Sequence, residues 1–237
     1  MTATQIKICG VTNENDARAC VELGADMIGF NFYRKSPRYI VPTAVRRILN
    51  VLPAETCAVG VFVDAQAGEI HKTAKLAGIR CVQLHGETTP ETCSELARDF
   101  RVIRAFRTDA RFRPEHATAF RDCDVLVDAY HPELRGGTGE TCDWSAARAT
   151  LPFTRFLILS GGLDAQNVGR ATAAVMPHAV DVCSGIESAP GVKDHRALEQ
   201  FISAVRAAER SVCATSTHKT SAQCHPERSE GSRVVSK

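Results

Sequence analysis

The stretch Cys57–Val63, with the sequence CAVGVFV, decides the fold because it carries no charged side chain at any position. Side chains of a β-strand alternate between the two faces of the sheet, so a strand of this composition is apolar on both faces. That pattern is typical of parallel sheets covered by helices, and not of antiparallel sheets with one face in water. The segment therefore predicts an α/β protein.

Similar β-rich runs recur along the chain at separations of roughly 20 to 30 residues, the length of one strand–helix unit. The predicted strands begin at Gln5, Met27, Cys57, Cys81, Arg101, Val125, Arg155 and Ala179. Segments with helical periodicity follow them, at residues 14–23, 43–52, 67–77, 90–99, 114–120, 144–150, 165–175 and 195–209. Eight such units favour a single closed (β/α)8 TIM barrel. An open doubly wound sheet is the alternative, because periodicity does not reveal whether the sheet closes.

The last part of the chain has a different composition. From residue 211 onward the sequence becomes polar and loses its periodicity. Segments that cannot bury enough apolar surface stay disordered. We therefore predict a barrel domain at residues 1–210 and a disordered tail at residues 211–237.

The overall composition favours chemistry on a small molecule. The formal net charge is +2, which gives no large basic field, and no run of Lys and Arg with aromatic residues suggests a nucleic-acid face. No stretch of about 18 apolar residues is present to span a membrane. Residues 1–20 carry charges where a signal peptide would be apolar. These features predict a cytoplasmic protein without membrane contact.

The cysteines predict free thiols and no metal site. The chain has 10 cysteines, but no two of them form a CxxC pair, so reduced thiols are the expected state. The nearest approach to a metal pattern lies in the tail, where the spacing matches no standard zinc site; its residues are Cys213, His218, Cys224 and His225. We predict neither a metal nor any other cofactor.

The first predicted strand carries a candidate reactive thiol. In a parallel barrel the carboxyl ends of all strands face one mouth, where active sites lie. Lys7 and Cys9 are two residues apart at such an end, so their side chains share a face. A cation beside a thiol lowers the thiol pKa and increases the thiolate fraction. An inert buried cysteine is the alternative interpretation.

Two further strand ends carry groups for the same mouth. The sixth predicted strand, VLVD, ends in Asp128, which would supply a carboxyl group there, although Asp also caps loops without any catalytic role. Arg38, in the loop after the second strand, has a planar guanidinium that suits a carboxylate.

Glycine-rich loops follow the last strands. Gly161 and Gly162 follow the seventh, and Ser184 and Gly185 follow the eighth. Glycines let backbone N–H groups approach an anion, and these two loops of a barrel frequently bind phosphate. The loop after the sixth strand, which contains Gly137, is also glycine-rich and would close over a substrate. Together these residues predict acid–base chemistry on a phosphorylated sugar, without naming the reaction.

A series of motifs runs in order through all the predicted units. They are KICGVT from residue 7, GADMIGFNFYRKSPRYI from 24, VGVFVD from 59, VQLHGET from 82, VLVDAY from 125, GGTGETCDW from 136, LSGGL from 159 and VDVCSGIESAPGVKDHRAL from 180. From about residue 5 to 207 the chain resembles the phosphoribosylanthranilate isomerase family of tryptophan biosynthesis.

The resemblance implies a reaction without a cofactor. Members of that family are (β/α)8 barrels that perform an Amadori rearrangement of N-(5-phosphoribosyl)anthranilate to 1-(2-carboxyphenylamino)-1-deoxyribulose 5-phosphate. The family's general base falls on Cys9, its general acid on Asp128, and its ligand for the anthranilate carboxylate on Arg38. The partner it implies is therefore a small phosphorylated sugar, and the oligomeric state is either a monomer or a homodimer.

The resemblance also assigns binding residues. The glycine-rich turns of Gly161 and Gly162 and of Ser184 and Gly185 match the family's phosphate site. His85 and Asp181 would line the pocket, although a structural role fits them equally well. Cys183 departs from the family, which tends to carry serine there, and we do not count it as a site residue.

Two alternatives remain open from the sequence. The related isomerase of histidine biosynthesis performs the same rearrangement with two aspartates, and Cys9 in place of the first argues against it. A non-catalytic barrel that binds a phosphosugar is the alternative from another class, and an intact acid and base argue against that.

Overall fold

The structure, a computed structural model, describes residues 3–129 and 144–218, with side chains up to residue 210. Eight parallel strands close into a barrel in chain order, and the last strand pairs with the first. The strands are β1 Gln5–Ile8, β2 Met27–Asn31, β3 Cys57–Val63, β4 Cys81–His85, β5 Arg101–Arg107, β6 Asp124–Asp128, β7 Leu157–Ser160 and β8 Ala179–Val182. The predicted closed barrel is confirmed, and the open sheet is wrong.

α-Helices follow all the barrel strands except β5 and lie on the outside of the barrel. They are α1 Glu14–Glu22, α2 Pro42–Leu49, α3 Ala67–Ala77, α4 Pro90–Leu96, α5 Trp144–Thr150, α6 Val168–Val175 and α7 His195–His218. Local chemistry sets several ends: Asn13 accepts a hydrogen bond from the N–H of Asp16 at the start of α1, and Gly78, with φ of 80°, ends α3. No helix in the described ranges is long and apolar enough to cross a membrane.

The connection between β5 and β6 differs from the prediction. It contains a six-residue 3₁₀ helix at Pro114–Ala119 in place of an amphipathic α-helix. So short a segment closes few of the i to i−4 hydrogen bonds that stabilise an α-helix, and short 3₁₀ turns commonly serve as connectors.

The last helix extends beyond the predicted domain boundary. α7 continues to His218, past the boundary expected at residue 210. Residues 219–237, most of the predicted tail, lie outside the described residues, as do Cys224 and His225 of the tail group. The predicted disorder of the tail therefore stays a prediction.

The apolar residues form two layers around the barrel wall. Inside the barrel, Met27, Val59, Ile103, Leu126 and Ile158 belong to one buried cluster. A larger cluster fills the space between the wall and the helices, with residues from the alternate strand positions. Adjacent residues of a strand point to opposite faces. The assignment of residues to the inner or the outer cluster therefore shows which side chains of each strand point into the barrel.

A small antiparallel hairpin after β8 was not predicted. A 3₁₀ turn at Ser184–Ile186 leads into β9, Glu187–Ala189, which pairs with β10, Val192–Lys193. Gly191 in the turn has φ of 82°, a conformation that favours glycine. Lys193 Nζ donates to the carbonyl oxygen of Cys9 at 2.6 Å, so the hairpin is attached to the end of β1.

Candidate active site

Strand alternation directs the predicted acid and base into the same mouth. Ile6 and Ile8 belong to the outer apolar layer, so Lys7 and Cys9 point into the barrel. On β6 the residue in the inner cluster is Leu126, and Asp128, two positions further on, faces inward as well. β7 and β8 separate β6 from β1, so Cys9 and Asp128 face the mouth from different parts of the barrel wall.

Lys7 is the buried cation of the site. Its side chain is 0% exposed, and Nζ lies 2.7 Å from Asp181 Oδ1. Ser160 Oγ donates to the other oxygen of Asp181 at 2.9 Å. Burial opposes the charge of Lys7, but Asp181 and Cys9 outweigh it and hold the pKa of the ammonium above its ordinary value. Asp181 is thus the counter-ion of Lys7, and a role for it in lining the substrate pocket stays a prediction.

The environment of Cys9 favours the thiolate. The neighbouring Cys183 thiol lowers the pKa of Cys9 most, burial raises it, and the charge of Lys7 lowers it further, to about 7. Hydrogen bonding to Cys9, together with burial, raises the pKa of Cys183 itself. Lys7 therefore acts in the predicted direction, while Cys183, which sequence reasoning left out, is a direct neighbour of the candidate base. All cysteines with described side chains are free.

Two glycines that sequence reasoning did not single out make room around the thiol. A Cβ on Gly29 would lie 3.1 Å from Cys9 Sγ and 3.3 Å from Lys7 Nζ. Gly10 has φ of 74°, and a Cβ there would lie 2.6 Å from Arg38 Cδ. Side chains at either position would displace the groups of the site, so the motif KICG needs its glycine for space as well as for conformation.

Arg38 reaches the mouth and forms an ion pair there. Its Nε lies 2.9 Å from Glu187 Oε1, and its Nη2 lies 2.6 Å from Oε2. The hydrogen bonds of Glu187 raise the pKa of the guanidinium. Glu187 also accepts from Lys193 Nζ at 2.9 Å. Glu187 and Lys193 were missed because they belong to the unpredicted hairpin, and the sequence contains no signal that pairs them with the loop after β2.

The glycines of the loops after β7 and β8 have conformations or contacts that disfavour larger residues. Gly161 and Gly162 have φ of 96° and 61°. A Cβ on Gly185 would lie 2.0 Å from the carbonyl oxygen of Leu163, so no larger residue fits between the two loops. Ser184 begins the 3₁₀ turn beside them. These residues lie together at the mouth, and phosphate binding by them stays a prediction.

His85 lies at the end of β4, on another side of the mouth. It lines a cavity of 840 Å³ together with Asn31, Tyr33, Asp64 and Arg107. Its Nε2 lies 2.7 Å from Gln83 Nε2. Burial, followed by the charge of Lys7, lowers the pKa of His85 to about 4, so its imidazole is neutral at neutral pH.

Gly137 lies outside the described residues.

Comparison with known proteins gives consistent matches. A family model for N-(5'-phosphoribosyl)anthranilate (PRA) isomerase matches residues 6–204. The N-(5'-phosphoribosyl)anthranilate isomerase of Geobacter sp. (strain M21) is 46% identical over 202 residues, which are 84% of this chain and 96% of that protein.

Solved structures agree with the sequence matches. The crystal structure of phosphoribosyl anthranilate isomerase from Thermotoga maritima has a TM-score of 0.80 and 42% identity, and the match covers 86% of this chain and 99% of that one. A phosphoribosyl anthranilate isomerase in complex with reduced 1-(o-carboxyphenylamino)-1-deoxyribulose 5-phosphate has a TM-score of 0.77 and 40% identity, with the same coverage. Because the family model spans nearly the whole barrel and these relatives match over almost their full length, the chain belongs to the phosphoribosylanthranilate isomerase family.

Proposed function

We propose that this protein isomerises N-(5-phosphoribosyl)anthranilate to 1-(2-carboxyphenylamino)-1-deoxyribulose 5-phosphate, the third step from chorismate in tryptophan biosynthesis. The observation that carries the proposal is that Cys9 and Asp128 point into one mouth from different parts of the barrel wall. The relative that was crystallised with a reduced form of the product supports the same substrate class.

The mechanism follows from two proton transfers. Asp128 donates a proton to the ring oxygen of the ribose, which opens the ring to a Schiff base. Cys9, as a thiolate, then removes the proton on C2 and produces an enolamine, which tautomerises to the ketone. A Cys9 pKa of about 7 supports this role, because a large part of the thiol is then ionised at neutral pH. No cofactor takes part in this scheme.

The remaining predicted residues would hold the two ends of the substrate. Arg38 would bind the anthranilate carboxylate, since a guanidinium matches that group in geometry and charge. The backbone of the loops with Gly161, Gly162, Ser184 and Gly185 would bind the phosphate. His85 would contribute to the wall of the pocket as a neutral side chain.

Location and assembly are part of the proposal. We place the protein in the cytoplasm, where its thiols would stay reduced. The Thermotoga maritima relative is described as a dimeric enzyme from which monomers have been generated. For this chain we propose a monomer or a homodimer.

The test is the fluorescence change of the anthranilate group during turnover. Cys9→Ser and Asp128→Asn should each reduce kcat by roughly 10²- to 10⁴-fold, the usual contribution of a general acid or base. Asp124→Asn, at the other end of the same strand, is the matched control and should retain activity. Growth of a tryptophan auxotroph lacking this step should be restored by the wild type and not by Cys9→Ala.

Two results would count against the proposal. A protein that binds the substrate without rearranging it would be a phosphosugar-binding barrel. Near-normal kinetics of Cys9→Ser would show that Cys9 is not the general base, and near-normal kinetics of Asp128→Asn would show that Asp128 is not the general acid.

A further inference from the structure

We propose that Glu187 is a positioning residue, which orients Arg38 so that the protein selects substrates with a carboxylate on the aromatic amine. This inference rests on the proposed function and extends it to a residue of the hairpin after β8.

Glu187 occupies one edge of the Arg38 guanidinium. Its Oε1 accepts from Nε at 2.9 Å, and its Oε2 accepts from Nε at 3.0 Å and from Nη2 at 2.6 Å. A guanidinium has five N–H donors arranged along more than one edge. The edge formed by Nη1 and the outer hydrogen of Nη2 therefore remains suited to a second, bidentate carboxylate.

Glu187 is itself fixed in place. Its side chain is 4% exposed, and Oε1 also accepts from Lys193 Nζ at 2.9 Å and from the N–H of Gly191 at 3.2 Å. Burial raises the pKa of Glu187, but the hydrogen bonds from Arg38 and Lys193 outweigh it and keep the carboxyl ionised. A carboxylate held by so many donors has little freedom to turn, so it restrains the guanidinium that it binds.

The same contacts connect Arg38 to the strand end that carries the thiol. Lys193 Nζ, which binds Glu187, donates to the carbonyl oxygen of Cys9 at 2.6 Å. The stem of Arg38 passes close to Gly10, where an added Cβ would lie 2.6 Å from Cδ. The guanidinium therefore has a defined position relative to Cys9, as it must if the carboxylate and the reacting C2 are held together.

The charges of the cluster also favour an anion. Arg38 and Lys193 carry two positive charges, and Glu187 supplies one negative charge. Arg38 is the exposed member of the three, with its side chain 21% exposed and the side chains of Glu187 and Lys193 buried. An incoming carboxylate meets the cation first, since the anion is covered.

The experiment compares two substrates. One is N-(5-phosphoribosyl)anthranilate, and the other is the analogue with aniline in place of anthranilate, which lacks the carboxylate. Glu187→Gln keeps one acceptor oxygen, which at the Oε1 position can still accept from Arg38 Nε and Lys193 Nζ. Its NH₂ then faces Arg38 Nη2, so the two-oxygen grip on the guanidinium is lost. For this variant we expect KM for the anthranilate substrate to rise roughly tenfold or more, with kcat changed by less than about threefold. For the aniline analogue, kcat/KM should stay within about threefold of the wild-type value.

A second variant guards against a folding defect. Glu187→Asp keeps a negative charge for Lys193 but shortens the side chain and withdraws it from Arg38, so the same loss of selectivity is expected. Asp124→Asn is the matched control, because it removes the carboxylate partner of Arg101, 2.6 Å away, at the opposite end of the barrel. Its ratio of kcat/KM values for the two substrates should equal that of the wild type. Thermal unfolding of all variants is measured in parallel.

The outcomes are distinguishable. Equal losses of kcat/KM for both substrates, or a lower thermal stability with an unchanged KM, would make Glu187 a structural residue and overturn the inference. A folded wild-type protein that turns over neither substrate would refute the proposed function, and this inference with it.

Discussion

Replacing Cys183 by alanine should raise the pKa of Cys9. The neighbouring thiol of Cys183 is the largest influence that lowers this pKa, against the effect of burial and with the help of Lys7, from the ordinary 9.0 to about 7. At 1.36 kcal/mol for each pH unit, the difference corresponds to roughly 3 kcal/mol in favour of the thiolate. Cys183→Ala removes that thiol and leaves Lys7 in place.

The expected loss of thiolate lies between two limits, which are set by the lowered and the ordinary pKa of Cys9. With a pKa of about 7, about half of Cys9 is thiolate at pH 7, whereas a thiol of ordinary pKa is about 1% ionised. The variant lies between these limits, and we expect its thiolate fraction at pH 7 to be lower by roughly fivefold or more. The sign is defined: a raised pKa removes thiolate at neutral pH and restores it above pH 9.

The assay is alkylation by iodoacetamide between pH 5 and 10, followed for each cysteine-containing peptide by mass spectrometry. Cys57 is the internal reference, because it lies at the start of β3, away from the mouth, and a hydrogen bond from Cys81 lowers its pKa to about 6. Its profile should not change in the variant. Cys20, with a pKa raised by burial to about 12, should react slowly throughout. Activity at pH 7 should fall with the thiolate fraction of Cys9 and recover at higher pH.

Two results would refute this reasoning. One is a wild-type pH profile in which alkylation of Cys9 has its inflection near pH 9. The other is a profile of Cys183→Ala in which the inflection for Cys9 stays near pH 7.

Three further predictions concern stability and charge. Lys7→Met leaves Asp181 buried without its cation. We expect the free energy of unfolding, measured by urea denaturation, to fall by roughly 3 to 5 kcal/mol. An unchanged midpoint of the urea transition would contradict this. Gly185→Ala places a Cβ 2.0 Å from the carbonyl oxygen of Leu163. This substitution should lower the free energy of unfolding by about 1 to 3 kcal/mol and raise KM for the substrate. A wild-type unfolding free energy together with a wild-type KM would contradict the contact. His85 should stay neutral, so its imidazole resonances in NMR should not titrate between pH 5.5 and 8, and an inflection near 6.5 would be the opposite result.

Much of the fold was readable because the chemistry of strands is local. The predicted strand starts agree with the structure at β1 to β5 and at β8, and differ by one or two residues at β6 and β7. An apolar run such as Cys57–Val63 identifies the segment as a strand of a parallel sheet, and this requires no knowledge of distant contacts. The same local pattern placed Lys7 and Cys9 on one face of β1, which the structure reproduces.

The sequence by itself therefore determined the order of the eight barrel strands, the family resemblance and the residues at the strand ends. The tertiary structure decided how the site is assembled around them. Arg38 meets Glu187 across 149 positions of the chain, and Lys7 meets Asp181 across 174. Such pairs depend on closure of the barrel between β1 and β8, and neither periodicity nor spacing reports which distant loops closure brings together. For the same reason the neighbour that most lowers the pKa of Cys9, the thiol of Cys183, became visible in the folded molecule.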